Sequence, residues 1–298
     1  MELQQVRSFV EVARQKNFSK AASKLFRTQP SVTAAVQALE KEVGASLFER
    51  SSRGVRLTPA GRLFLESVGP LLQSWEAAPN ALREAVDGTM QGPVRVGAGE
   101  AAVLYLLPHA IRRFLNKNPK VEVVVRHQVA EETLAMLREG ELDFGVRSLA
   151  SVPADMLDLP FLTCDRVLIC PRNHPVARRR HLTLEALSEY RFVLPWKQST
   201  TRKLIERAFE ERGLPCDLAL EAGGWEIIKR YVALGLGVAV IPEFCLEPGD
   251  RRLTARPVRD LFGQDTYGLV LKKGRALTTA AKNLAAELLP DLESAIGG

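Results

Sequence analysis

The chain has 298 residues, 46% of them hydrophobic, with a formal net charge of +6. That length exceeds one simple core and predicts two or three domains, while the ordinary apolar content excludes a disordered chain. No apolar run is long enough to span a bilayer, and MELQQVRSF lacks the basic-then-apolar pattern of an export signal, so a cytoplasmic protein without membrane contact is expected. Four cysteines and four histidines are scattered without metal-ligand spacing; no metal or other cofactor is expected. Residues 1–62 hold eleven Lys and Arg against five Asp and Glu, so the whole positive excess lies there and the remainder balances. A basic segment ahead of a neutral one points to a polyanion partner for the first.

The spacing of Leu3, Val6, Phe9, Val10 and Ala13 predicts a first helix over 2–15. Ser19 is expected to cap a short second helix, SKAASKLF, that buries Ala21, Ala22 and Leu25. Thr28 is expected to cap a third, with Pro30 in its first turn, where a missing N–H costs little. Val32, Val36, Leu39 and Val43 form its buried stripe, leaving Gln29, Ser31 and Thr33 at an outward tip. Val55 and Leu57 alternate as in a strand after the polar turn 51–54. Three helices and a small basic hairpin make a winged helix-turn-helix, whose second motif helix offers its N-terminal residues to base edges in a DNA major groove. Arg27, Gln29, Pro30, Ser31 and Thr33 are the candidate contacts there, and Arg53 and Arg56 on the wing reach phosphates or the minor groove.

The stretches FVEVARQKNFSKAASKL, TQPSVT, LEKEVGASLFER and RLTPAG resemble the LysR-type transcriptional regulators. The resemblance implies a bacterial transcription factor that binds promoter DNA, self-associates as a dimer or tetramer through a linker helix, and has RNA polymerase as a further partner. A long helix is expected from Ala60, with Leu65, Val68, Leu72, Trp75, Leu82 and Val86 as a heptad seam and with kinks or breaks at Pro70 and Pro79.

From Met90 the pattern changes. VRVGAG, a helix, VEVVVRH, EETLAMLREG and LDFGVRS make a βαβαβ run, and a second α/β unit follows from Asp165 before TYGLVLKK and a last helix return to the first. The fold class is therefore α/β behind an all-α winged helix-turn-helix domain. The expected division is 1–59 for DNA binding, 60–89 for the linker, and 90–298 for effector binding, with lobe I at 90–164 and 267–298 and lobe II at 165–266. YLLP, GELDFGV, NHPVA and GLGVAVIP resemble the two-lobed, periplasmic-binding-protein-like effector domain of the same family.

Ligands of such sheets bind beyond the carboxyl ends of strands, against helix N-termini. Those positions are Gly99, Glu100 and Ala101; Arg147 and Ser148; and Gln198, Ser199 and Thr200, with Trp225 as a wall of the pocket or a core residue. GGWEIIKRYVALGLGVAVIP is most similar to the branch of the family that senses sulfur metabolites. Carried over from that branch, Ser148 and Thr200 keep hydroxyl positions, Gly99 and Ala101 lose them, and Glu100 adds a negative charge that Arg147 is expected to neutralise. A small polar or anionic metabolite in the interlobe cleft is the expected effector, with a zwitterion carrying an amino group favoured over simple sulfate. Catalysis is not expected, because no nucleophile–base pair, Walker loop or complete GxGxxG is present. The alternatives are a redox-sensing regulator on the same scaffold and a cytoplasmic solute-binding α/β protein.

Overall fold

The computed structural model describes residues 1–51, 54–87 and 90–296. It opens with α1 (Leu3–Gln15), α2 (Phe18–Lys24) and α3 (Gln29–Val43), followed by the hairpin β1 (Phe48–Ser51) and β2 (Gly54–Leu57) and by α4 (Pro59–Asp87). Val6, Phe9 and Val10 turn inward as their spacing demands, and Phe9 packs on Phe48 and Phe64 with ring centroids 5.3 and 5.2 Å away. Asn17, not Ser19, caps α2. Its side chain accepts the Lys20 N–H at 3.0 Å, so the helix starts at Phe18 and buries that ring. Asn is as good a cap as Ser, and the earlier start adds an aromatic side chain to the core.

The RLTPAG stretch has a local cause. Thr58 Oγ1 accepts the Gly61 N–H at 2.9 Å and opens α4, with Pro59 at a position that needs no N–H. A Cβ on Gly61 would stand 2.1 Å from the Leu47 carbonyl oxygen, so only glycine lets α4 touch the base of the wing. Glu40 holds the other side of that base, accepting the Leu47 and Phe48 N–H groups at 2.7 and 3.1 Å.

The expected heptad seam divides in two. Leu65, Val68 and Leu72 are buried against α1–α3, whereas Trp75, Leu82 and Val86 stay exposed. The first half of α4 thus serves as a fourth helix of the N-terminal core, and the rest of the seam is left open. Pro70 and Pro79 do not interrupt it; α4 runs 29 residues through both. An interior proline costs a lone helix roughly 3 kcal/mol, and around Pro70 the burial of Val68 and Leu72 offsets that cost.

The remainder consists of β3 (Gly92–Ala98), a π-helical turn at Ala102–Leu106, α5 (Leu107–Lys117), β4 (Val121–His127), α6 (Ala130–Arg138), β5 (Phe144–Ser148), β6 (Met156–Pro171), α7 (Pro175–Arg178), α8 (Leu184–Leu187), β7 (Phe192–Leu194), α9 (Thr200–Glu210), β8 (Leu218–Glu221), α10 (Trp225–Ala233), β9 (Ala239–Pro242), β10 (Leu253–Pro257), α11 (Arg259–Phe262), β11 (Gln264–Lys272), α12 (Thr279–Ala286) and α13 (Leu292–Ile296). β4, β3 and β5 pair in parallel, as a βαβαβ run requires. β6 and β11 are antiparallel partners, and one sheet runs β10-β6-β11-β5-β3-β4 with β9 beside β6. The 16-residue β6 carries the chain from the β3–β5 half toward β9 and β10, and β11 brings it back.

The start of β6 is tied to its neighbours by charge. Arg138 Nε and Nη2 donate to both oxygens of Asp155 at 2.8 and 2.9 Å, and Lys272 Nζ lies 3.1 Å away. The Arg138 hydrogen bonds, then those of Lys272, hold the Asp155 carboxyl well below the usual carboxylate range. Its stabilising contribution is therefore complete above the ordinary carboxylate pKa and is lost as the pH falls through the folded value. The carboxylate is part-exposed, so the effect is about 1 kcal/mol or less. In urea unfolding, the stability gap between wild type and Asp155→Asn should be widest at neutral pH and shrink on acidification; a gap independent of pH would contradict this.

Candidate nucleic-acid interface and effector cleft

At the N-terminal face, Thr28 caps α3 as expected, its Oγ1 accepting the Ser31 N–H at 3.4 Å, and Pro30 sits in the first turn. Gln29, Pro30 and Ser31 are exposed and Thr33 is half-buried. Ser19 Oγ donates to Gln29 Oε1 at 2.7 Å, which fixes the amide and leaves its Nε2 donors outward. Arg27 and Arg56 are exposed on the same domain, as are Lys20 and Lys24. Arg53 lies outside the described residues. The turn before α3 holds a residue that sequence reasoning missed: Phe26, 97% exposed at φ 54°. A non-glycine in that region is a strained choice, and a bare aromatic ring beside the motif helix is a second cost. Only its place between two helices signals it.

The candidate effector residues fall into three groups. Glu100 follows β3 and meets α10 end-on: its carboxylate accepts the Trp225 N–H, and a Cβ on Gly224 would stand 2.5 Å from Glu100 Oε1. At φ 103° Gly224 holds a conformation that other residues rarely adopt, and the positive end of α10 suits a carboxylate. Burial pushes the Glu100 carboxyl up, against the Trp225 hydrogen bond and the nearby His127. Ala101 is buried in an apolar cluster with Trp225 and Ile228, which joins the start of the π-helical turn to α10. Gly99 has open space where a side chain would be, so no steric reason bars a hydroxyl there. Tyr105 repeats the link, its hydroxyl donating to Glu226.

Arg147 does not neutralise Glu100. It is buried and donates to the carbonyls of Ser148, Ala130 and Ser151 at 3.1, 3.4 and 3.2 Å. Burial pulls its pKa down, and the charge it senses is Glu131. Its guanidinium is consumed by backbone acceptors at the end of β5. Ser148 points elsewhere: its Oγ donates to Asp265 Oδ1 at 2.5 Å. Asp265 in turn pairs with Arg166 Nη2 at 3.2 Å, both nearly fully buried, and Arg166 Nη1 donates to the Phe262 carbonyl at 2.9 Å and to that of Gln264. Arg166 Nε is buried without a partner among the described residues. This Ser148–Asp265–Arg166 chain, on three adjacent strands, was not visible in the sequence, where Asp165-Arg166 and Gln264-Asp265 look like ordinary strand-end charges.

At the third group, Ser199 and Thr200 open α9 half-buried, and Gln198 is exposed. Trp225 takes the core role: it is 9% exposed within the apolar cluster. Trp196, two residues before Gln198, is 50% exposed. It lies against Gly223, where a Cβ would come within 2.3 Å of its ring.

Residues 3–62 match the family described as bacterial regulatory helix-turn-helix protein, lysR family, and residues 87–293 match the LysR substrate binding domain. The chain belongs to the LysR family of transcriptional regulators. Its LysR relatives include the HTH-type transcriptional regulator CysB of Burkholderia cenocepacia, 33% identical over 296 residues, which cover 98% of this chain and 94% of that one. SsuR of the same organism is 30% identical over 300 residues, covering 99% and 97%. Full-length OxyR from Pseudomonas aeruginosa superimposes with a TM-score of 0.77 at 26% identity, over 97% of this chain and 94% of that one. LysR proteins are transcription regulators and not enzymes. Among the described residues of this LysR regulator, no group of three His, Cys, Asp or Glu could hold a metal, and no helix is long and apolar enough to cross a membrane. Burial pushes the thiols of Cys164, Cys170 and Cys216 up to about 11 each, and that of Cys245 higher still. A thiol that resists ionisation is a poor peroxide nucleophile, which disfavours redox sensing in spite of the likeness to OxyR.

Proposed function

We propose that this LysR regulator reads its operator with the N-terminal turn of α3, and that a small polar metabolite in the cleft near Glu100, Ser148 and Thr200 sets how it engages promoter DNA. The division into a DNA-binding part (1–59), a linker (60–89) and an effector domain (90–298), lobe I being 90–164 with 267–298 and lobe II 165–266, belongs to the same reading, as does a cytoplasmic setting. The observation that carries it is the fixed, outward Gln29 amide at a capped helix start, within residues 1–62, which hold all the net positive charge. Gln29 would pair with a base edge, Ser31 and Thr33 would assist, and Arg27, Arg53 and Arg56 would hold phosphates. The exposed Trp75, Leu82 and Val86 of α4 are the face for a second copy. The test is binding to promoter-proximal DNA with and without fractions of a metabolite extract: a fraction that shifts the affinity or footprint supports the reading, and indifference to every fraction counts against the effector half.

Glu100 sets the ligand class. It already places a tethered carboxylate on the N-terminus of α10, where a free anion would otherwise go. A ligand amino group would pair with it, and inorganic sulfate would have to displace it. Calorimetry should therefore show no micromolar sulfate binding to the wild type, and Glu100→Ala should bind sulfate at least tenfold more tightly. Micromolar binding by the wild type would overturn this assignment.

A further inference from the structure

The linker helix does not merely lead to the effector domain; it is docked on it. A Cβ on Gly69 of α4 would stand 2.2 Å from the Glu139 carbonyl oxygen, and one on Gly140 (φ 75°) would stand 3.0 Å from the Gly69 carbonyl carbon and 3.1 Å from the Pro70 nitrogen. Helix backbone and loop backbone therefore touch with no side chain between them. One helical turn on, Gln73 Nε2 donates to Asp143 Oδ1 at 2.6 Å. Asp143 is buried, its other oxygen accepts the Arg95 N–H at 2.7 Å, and Arg275 lies 3.7 Å away. Gln73 Oε1 is buried with no partner among the described residues, a cost that a loose surface contact would not impose. From α1, Arg14 Nε reaches Glu141 at 3.3 Å. The loop 139–143 thus grips both the fourth helix of the N-terminal core and its first.

The loop also has a second end. It runs straight into β5, whose five residues are buried or nearly so and whose last two, Arg147 and Ser148, are among the candidate effector residues. β5 is flanked by β3 and β11, so a shift of Ser148 against Asp265 would have to be taken up by a short strand held on both sides.

We propose that the Gly69–Gly140 contact and the Gln73–Asp143 hydrogen bond form a joint through which the effector domain holds the DNA-binding part of its own chain at a set angle, so that a change at the cleft end of β5 re-aims α3. This rests on the functional reading above. Gly69→Leu wedges the joint open, and Gln73→Glu sets a carboxylate against Asp143 without added bulk.

The test uses the full chain. Amide hydrogen exchange reports whether the joint is closed, affinity for a single half-site reports whether the DNA-binding domain is intact, and the footprint on promoter-proximal DNA reports the angle. In both variants exchange at 139–143 and 66–74 should rise at least tenfold, half-site affinity should stay within about twofold, and the footprint should change in extent. Unchanged exchange in Gln73→Glu, or an unchanged footprint once the joint has opened, overturns the proposal. If Gly69→Leu does not fold, Gln73→Glu decides alone. If the wild type protects no promoter DNA, the functional reading fails, and unchanged exchange would then overturn the joint separately.

Discussion

Asp265→Ala is expected to lower the unfolding free energy by about 3–5 kcal/mol, because it leaves the Arg166 guanidinium buried with no carboxylate. The loss is large for its position in a strand because it removes the ion pair and the Ser148 hydroxyl bond and loosens the orientation that lets Arg166 reach the Phe262 and Gln264 carbonyls. Asp265→Asn keeps an acceptor for Ser148 and should lose less. Arg166→Met combined with Asp265→Leu removes both charges and should recover most of the stability, since a buried pair is costly to break and cheap to replace whole. Urea unfolding followed by tryptophan fluorescence reads all three; a loss of under about 1 kcal/mol for Asp265→Ala would mean the pair is solvated and the account of this network is wrong.

Gln29→Ala should weaken binding to the cognate operator by about 1–3 kcal/mol, roughly 5- to 150-fold, while binding to random DNA changes little. The contrast follows from position. Gln29 is at the first turn of α3 with its amide oxygen fixed by Ser19, whereas Arg27 and Arg56 carry charge and no preference for sequence. Arg56→Ala should weaken both DNAs alike and flatten the salt dependence. Competition gel-shift measurements on the two DNAs distinguish these outcomes, and a uniform loss for Gln29→Ala would move it from base reading to backbone contact.

The N-terminal domain was legible because its signals are local. Thr28, Pro30 and the Val32–Val36–Leu39 stripe fix α3 without reference to anything distant. Where two local signals compete, as with Asn17 and Ser19, the tertiary benefit of burying Phe18 decides, and sequence spacing does not report it. The heptad reading of α4 failed halfway for the same reason: Leu65, Val68 and Leu72 have the right period for a partner helix, but the partner is the chain's own core. The β4-β3-β5 order was legible from alternating strands and helices, and the long antiparallel β6–β11 pair explains how one sheet joins both halves. Among the candidate effector residues, Glu100 follows β3 as its place in the sequence suggests, but its partner is not the expected one. Arg147 is near in sequence logic and turned away in fact, and the true partner is a backbone N–H 125 residues later. Trp196, Asp265 and Arg166 act through contacts across the fold, which residue type alone cannot announce.

The central claim is a sequence-reading α3 on a basic domain, and equilibrium binding to promoter-proximal DNA across a salt series tests it most directly. The account predicts affinity that falls steeply with salt and that exceeds affinity for random DNA by about a thousandfold or more at physiological salt. An intact, folded protein that binds its own promoter region no better than random DNA at every salt concentration would contradict it.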